Sequence, residues 1–134
     1  MKRILVPIDG TKRSMKSVEL VKNLYLPDTV EITVVMVKED IDMMHSELEY
    51  DKAKKEIDPM ISEVEIQLSG FAVNKCIAFG KAGEEILNCA EKNNIDVIIM
   101  TKSTKKGWSR LIGSVTAYVV KYAKCIVMIV PELY

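Results

Sequence analysis

The sequence predicts an α/β domain in which a parallel sheet of five strands carries helices on both faces. Short apolar runs alternate five times with segments whose apolar residues recur at helical spacing. Such alternation is typical of strand–helix–strand units joined by right-handed crossovers. The apolar runs are bounded by turn residues and the second is rich in β-branched residues, as expected of strands buried on both faces.

Size and composition indicate one domain, residues 1–134, in a chain of 134 residues that needs no metal or disulfide to complete its core. Lys+Arg and Asp+Glu both number 19, so we expect neither nucleic acid nor a membrane surface as a partner. The first apolar run is short and meets Pro7 and Asp9, unlike a signal peptide or a membrane span. The three cysteines lack metal or CxxC spacing, which favours a reducing, cytoplasmic location.

Apolar runs and helical spacing place the elements along the chain. The predicted strands are Lys2–Ile8, Glu31–Lys38, Phe71–Phe79, Asp96–Met100 and Cys125–Val130. The predicted helices lie around Val18–Tyr25, Ile41–Ser69, Glu84–Asn93 and Gly113–Ala123. We predict a break in the second helix at Pro59, which would begin a fresh helix, over the alternative of one kinked helix. Gly70 is expected to end it.

A ligand of such a sheet binds beyond the carboxyl ends of the strands, where the strand order reverses. With the predicted order 3-2-1-4-5, that point lies between strands one and four. The candidate residues at the two strand ends are Pro7, Ile8, Asp9, Met100, Thr101 and Thr104. Gly113, Ser114 and Val115 open the last helix, whose free N–H groups and positive dipole end favour a phosphate. Lys102, Lys105, Lys106 and Arg110 add local positive charge.

Signatures of catalysis are missing from the sequence. It contains no GxxxxGK[ST], no GxGxxG after the first strand and no GxSxG. The converging segments offer no nucleophile–base pair and no ligand cluster, so we expect no enzyme and no obligatory metal, although slow hydrolysis of ATP is not excluded. The single histidine, His45, has no partner suggested by the sequence.

Three stretches together resemble the universal stress protein family: ILVPIDGTKRS, FGKAGEEI and MTKSTKKGWSRLIGSVTAYVVKYAKCIVMIVP. The resemblance runs nearly end to end. It implies a stress-response or signalling protein that holds ATP or a related adenine nucleotide, such as AMP. It also implies that Val37 contacts adenine and that Gly80 lets a ribose approach. Finally, it implies a homodimer through the fifth strand, Cys125–Val130, whose apolar edge would otherwise lie exposed.

The phosphate loop departs from that of the ATP-binding members. Thr101 and Thr104 stand where those members have glycines, and the spacer from Thr104 to Gly113 is one residue shorter. Gly113-Ser114 is intact. Threonine hinders close backbone approach to a phosphate, but its hydroxyl can donate a hydrogen bond. Two interpretations follow: an adenine-nucleotide-binding protein, which we favour, or a dimeric interaction module that binds a protein partner and no nucleotide.

Overall fold

A computed structural model describes residues 1–39, 47–102 and 113–131. It contains one parallel sheet of five strands in the order β3-β2-β1-β4-β5, which confirms the predicted fold class and strand order. The strands are β1 Lys2–Ile8, β2 Val30–Lys38, β3 Ala72–Phe79, β4 Val97–Thr101 and β5 Ile126–Val130. The α-helices are α1 Met15–Leu24, α2 Glu47–Gln67, α3 Ala82–Lys92 and α4 Ser114–Tyr122. A short 3-10 helix, Pro27–Thr29, precedes β2.

The core consists of two layers, one on each face of the sheet. Side chains alternate along a strand, so Ile4 and Val6 of β1 pack with α1 and α2, whereas Leu5 packs with α3 and α4. All three side chains are fully buried. The central strands are therefore covered on both faces, which explains why they read as continuous apolar runs rather than alternating ones.

Helix α2 is continuous across Pro59, so the predicted break there is wrong. A proline inside a helix removes one backbone hydrogen bond and clashes with the preceding turn. The buried stripe of Ala53, Ile57, Ile61 and Val64 nevertheless runs through this position at helical spacing. Pro59 itself is exposed. Burial of the stripe against the sheet holds both halves of the helix in line, and it outweighs the local cost of the proline.

The end of α2 matches the sequence expectation. Gly70 has a φ of +95°, which a residue with a side chain rarely adopts. The N–H of Leu68 still donates to the carbonyl of Val64 at 2.9 Å, and the N–H of Phe71 then donates to the carbonyl of Leu68 at 2.9 Å. Gly70 thus reverses the chain between α2 and β3, as predicted.

Candidate functional site

A cleft of about 220 Å³ opens at the carboxyl ends of β1, β2 and β4, on the face covered by α3 and α4. We call it the carboxyl-edge cleft. Its apolar lining comprises Pro7, Val35, Val37, Ala82, Ile86, Met100 and Val115. Its polar lining comprises Asp9, Ser14, Glu39, Thr101, Lys102 and Thr116. A mostly apolar concavity with a few polar groups at the switch point of the sheet has the character of a small-molecule site.

Strand alternation decides which side chains reach this cleft. Pro7 and Val37 belong to the positions that face α3 and α4, and they line it. Ile8 is one residue further along β1, and its side chain lies in the other core layer with α1 and α2. The structure therefore brings Pro7 to the cleft and turns the side chain of Ile8 away from it.

The turn between β1 and α1 holds Asp9 at the cleft. Its Oδ1 accepts hydrogen bonds from the backbone N–H of Thr11 at 2.9 Å and from the Thr11 hydroxyl at 2.6 Å. The Ser14 hydroxyl donates to the carbonyl of Thr11 at 2.9 Å and accepts from the N–H of Asp9 at 3.3 Å. The local sequence Asp9-Gly-Thr11 thus forms a hydrogen-bonded turn that fixes the carboxylate, while the buried Ser14 hydroxyl ties the turn to α1.

The N-terminus of α3 forms a second polar wall. The backbone N–H of Ala82 donates to Oε1 of Glu39 at 3.0 Å, so a carboxylate from the end of β2 occupies the positive end of this helix. Both residues line the cleft. Sequence reasoning missed this pair because the residues are 43 positions apart and no local motif links them.

The candidate residues of the phosphate loop differ in whether they line the cleft. Thr101 ends β4 and lines the cleft, and its carbonyl accepts a hydrogen bond from the buried Thr116 hydroxyl at 3.3 Å. Gly113 occupies the position before α4, Ser114 is the exposed first residue of the helix, and Val115 reaches the cleft. Thr104 lies outside the described residues, as do Lys105, Lys106, Arg110 and His45.

Of the two remaining candidate residues, Met100 and Gly80, one lies at the cleft and the other does not. Met100 lines the cleft, whereas Gly80 is not among its lining residues. Gly80 lies at the exit of β3 with a φ of +135°, and its N–H donates to the carbonyl of Lys38 at 3.1 Å. Val35, Ile86 and Thr116 line the cleft without having been predicted. For Val35 a signal existed, since it lies two residues before Val37 on the same face of β2.

Two further properties bear on the class of site. Among the described residues, no group of three or more His, Cys, Asp or Glu side chains is arranged to hold a metal ion. No helix in the described part of the chain combines the length and apolarity that a membrane crossing requires.

A larger groove of about 520 Å³ lies between α3 and α4. Its lining includes Ile95 and Cys125, which precede β4 and β5, so it lies at the amino ends of these strands. We therefore take the smaller cleft, at the carboxyl ends, as the candidate site.

The chain belongs to the universal stress protein family, whose family model matches residues 1–131. Among solved structures, the hypothetical protein MJ0577 has a TM-score of 0.85 and 27% identity, covering 97% of this chain and 95% of that one. A universal stress protein in complex with cAMP has a TM-score of 0.76 and 16% identity, covering 98% and 97%. A family member from Arabidopsis thaliana with AMP bound has a TM-score of 0.69 and 14% identity, covering 98% and 91%. No curated protein matches the chain.

Proposed function

We propose that this protein binds an adenine nucleotide, ATP or a relative such as AMP, in the carboxyl-edge cleft and acts in a stress response or in signalling. The observation that carries the proposal is the cleft itself. It joins an apolar pocket to a fixed carboxylate and a helix N-terminus at the switch point of the sheet. Two structures of similar fold are complexes with cAMP and AMP.

The cleft offers contacts for the base, the ribose and the phosphates of an adenine nucleotide. Pro7, Val37 and Val115 line the cleft and are half-buried, so they offer apolar surface to the flat base. The carboxylate of Asp9, held by Thr11, supplies the acceptor that a ribose hydroxyl requires. For the phosphates, the first N–H groups of α4 and the Lys102 ammonium supply donors and positive charge.

Thr101 is compatible with this assignment. It is paired with Val130 in the regular ladder between β4 and β5, and among the described non-glycine residues only Asn94 has a positive φ. The backbone at Thr101 therefore needs no glycine. A threonine in place of the family's glycine still adds a side chain beside the cleft, so we expect weaker phosphate binding than at a glycine loop.

We propose binding without efficient turnover. Ser14 and Thr116 carry buried hydroxyls in the lining of the cleft. Each donates its proton to a backbone carbonyl, that of Thr11 and that of Thr101, rather than to a carboxylate or imidazole base. An unactivated hydroxyl is a weak nucleophile. Asp9 is engaged with Thr11 in the turn, which suits a fixed hydrogen-bond acceptor.

We also propose a homodimer through β5. This strand lies at the edge of the sheet beside β4, and 60% of the Ile126 surface is exposed. An exposed apolar edge strand promotes aggregation unless it is covered, and a twofold axis would pair it with its own copy.

The proposed action is in the cytoplasm, in agreement with the free state of the three cysteines.

Native mass spectrometry of the protein as purified, followed by calorimetric titration with ATP, tests the proposal. A dimer that carries an adenine nucleotide, or a micromolar dissociation constant, would support it. A dimer without nucleotide and without heat at millimolar ATP would contradict it. That second result would favour the alternative, a dimeric module that binds no nucleotide and whose altered phosphate loop recognises a protein partner.

A further inference from the structure

A small polar pocket lies at the amino ends of β1 and β2, next to the end of α3. We call it the Arg3 pocket, and its volume is about 220 Å³. Strand alternation turns Arg3, Glu31 and Thr33 to the face that α3 covers, and the register pairs Arg3 with Glu31. Helix α3 ends at Lys92, directly above this part of the sheet. The pocket is lined by Arg3, Glu31, Thr33, Lys92, Asn93 and Asn94.

Thr33 is a buried polar residue in the wall of this pocket, with 5% of its surface exposed. Its hydroxyl forms no hydrogen bond with any residue that the structure describes. By contrast, the buried Thr116 hydroxyl donates to the carbonyl of Thr101. A buried hydroxyl without a partner destabilises a fold, and such groups in native proteins usually have one. The Thr33 hydroxyl is therefore available to a ligand of the Arg3 pocket.

Two cations of the pocket are available as well. Among residues 1–39, 47–102 and 113–131, neither Arg3 nor Lys92 forms an ion pair. The Asp96 carboxylate accepts a hydrogen bond from the backbone N–H of Arg3 at 2.8 Å, and this contact leaves the guanidinium group unused. A planar guanidinium group binds a carboxylate through two parallel hydrogen bonds. The pocket thus has donors for the carboxylate of a ligand.

The same pocket also has acceptors for a positively charged group. Oε1 of Glu31 accepts a hydrogen bond from Nδ2 of Asn74 at 2.7 Å, which fixes this carboxylate without neutralising it. Nδ2 of Asn93 donates to the carbonyl of Cys89 at 2.8 Å, so Oδ1 of Asn93 remains as an acceptor. The last carbonyls of α3 add the negative end of the helix dipole. A simple anion would be repelled by these groups, and a simple cation would be repelled by Arg3 and Lys92.

We propose that the Arg3 pocket binds a free amino acid. The carboxylate of the ligand contacts Arg3 and Lys92 and accepts the hydroxyl proton of Thr33, and its ammonium group contacts Glu31 and the end of α3. A zwitterion matches both kinds of wall, which no ligand of one charge does. Thr33 lies four residues before Val37 on β2, a distance of about 13 Å along the strand. The site is therefore separate from the carboxyl-edge cleft, and it does not rest on the proposed function.

Amide chemical shifts of the ¹⁵N-labelled protein during a titration with L-alanine test the proposal. Alanine suffices as a probe because every proposed contact is with a group that all amino acids share. We expect saturable changes at Arg3, Thr33 and Asn94 at millimolar alanine. Propionate lacks the ammonium group and ethylamine lacks the carboxylate, so each should bind at least about tenfold more weakly.

Two variants separate a role in ligand binding from a structural role. Thr33→Val keeps the shape and removes the hydroxyl, so alanine affinity should fall about fivefold while the melting temperature stays the same or rises. Arg3→Gln should weaken alanine binding at least about tenfold. Lys2→Gln is the matched control, because it makes the same charge change at an exposed neighbour outside the pocket, and it should leave alanine affinity unchanged.

Three results would overturn the proposal. The first is the absence of any shift at tens of millimolar alanine. The second is binding of propionate or inorganic phosphate as tight as that of alanine, which would indicate a simple anion site. The third is unchanged alanine affinity in Thr33→Val and Arg3→Gln. A lower melting temperature of Thr33→Val with unchanged affinity would likewise assign the Thr33 hydroxyl a structural role and contradict its contact with a ligand.

Discussion

The ring of Tyr118 on α4 packs against the backbone of Gly83 on α3. A Cβ atom at Gly83 would lie 2.6 Å from Cδ1 and 3.0 Å from Cγ of Tyr118, closer than real side chains approach. Gly83 is a helical residue with an ordinary backbone, so it is needed for close approach rather than for its conformation. This contact sets the spacing of the two helices that cover one face of the sheet.

Gly83→Ala should therefore destabilise the protein by about 1–2 kcal/mol, although alanine is the better helix former. Urea unfolding monitored by circular dichroism measures the change. Tyr118→Ala removes the clashing ring atoms, so in that background Gly83→Ala should lower the free energy of unfolding by less. Equal losses in the two backgrounds would show that the contact does not set the helix spacing.

Removal of the proline from α2 should stabilise the protein. Pro59→Ala restores a backbone N–H within the helix and removes the clash with the preceding turn, which should add about 1–3 kcal/mol to the free energy of unfolding. The neighbouring exposed residue gives the control, since Asp58→Ala should change it by less than about 0.5 kcal/mol. A loss of stability in Pro59→Ala would mean that the proline shapes the packing of Ile57 and Ile61.

Helix α2 shows the limit of what local sequence patterns predict. The sequence predicts the strands to within a residue or two because each is a short apolar run between turns. Pro59 predicts a break because a local proline rule takes no account of the packing that overrides it. The hydrogen bond between Glu39 and Ala82 depends on how β2 and α3 are placed in space, which no local pattern encodes.

The C-terminus of α3 offers a third test. Asn94 has a φ of 51°, and the N–H groups of Asn94 and Ile95 donate to the carbonyls of Glu91 and Ala90 at 3.2 and 2.9 Å. This is the hydrogen-bond pattern of a helix end that glycine favours. Asn94→Gly should leave stability unchanged or raise it by up to about 1 kcal/mol, and Asn94→Val should lower it by about 1–2 kcal/mol. Equal melting temperatures for the two variants would contradict the assignment.

A substitution that fills the carboxyl-edge cleft should weaken nucleotide binding without unfolding the chain. Val37 is half-buried in its lining, and Val37→Phe places a ring where the base is proposed to lie. We expect ATP affinity to fall at least about tenfold, which corresponds to about 1.4 kcal/mol, as measured by calorimetry. Val120→Phe, on an exposed position of α4 outside the cleft, is the control. Unchanged affinity in Val37→Phe would place the nucleotide elsewhere.

The edge strand gives a prediction about assembly. Ile126→Lys puts a charge on β5 and should shift the protein from dimer to monomer in sedimentation velocity. Ile66→Lys is the control, because Ile66 on α2 is also exposed, at 70%, but lies on the helix of the other sheet face. A dimer that persists in Ile126→Lys, or a wild-type monomer, would contradict pairing through β5.

Amide chemical shifts of the ¹⁵N-labelled protein during an ATP titration test the central claim most directly. Our account predicts that the largest changes fall on Asp9, Val37, Thr101 and Val115, at the ends of β1, β2 and β4 and the start of α4. No changes at millimolar ATP would contradict it. So would changes confined to the groove between α3 and α4, around Asn88 and Tyr122, because that larger groove lies away from the carboxyl ends of the strands.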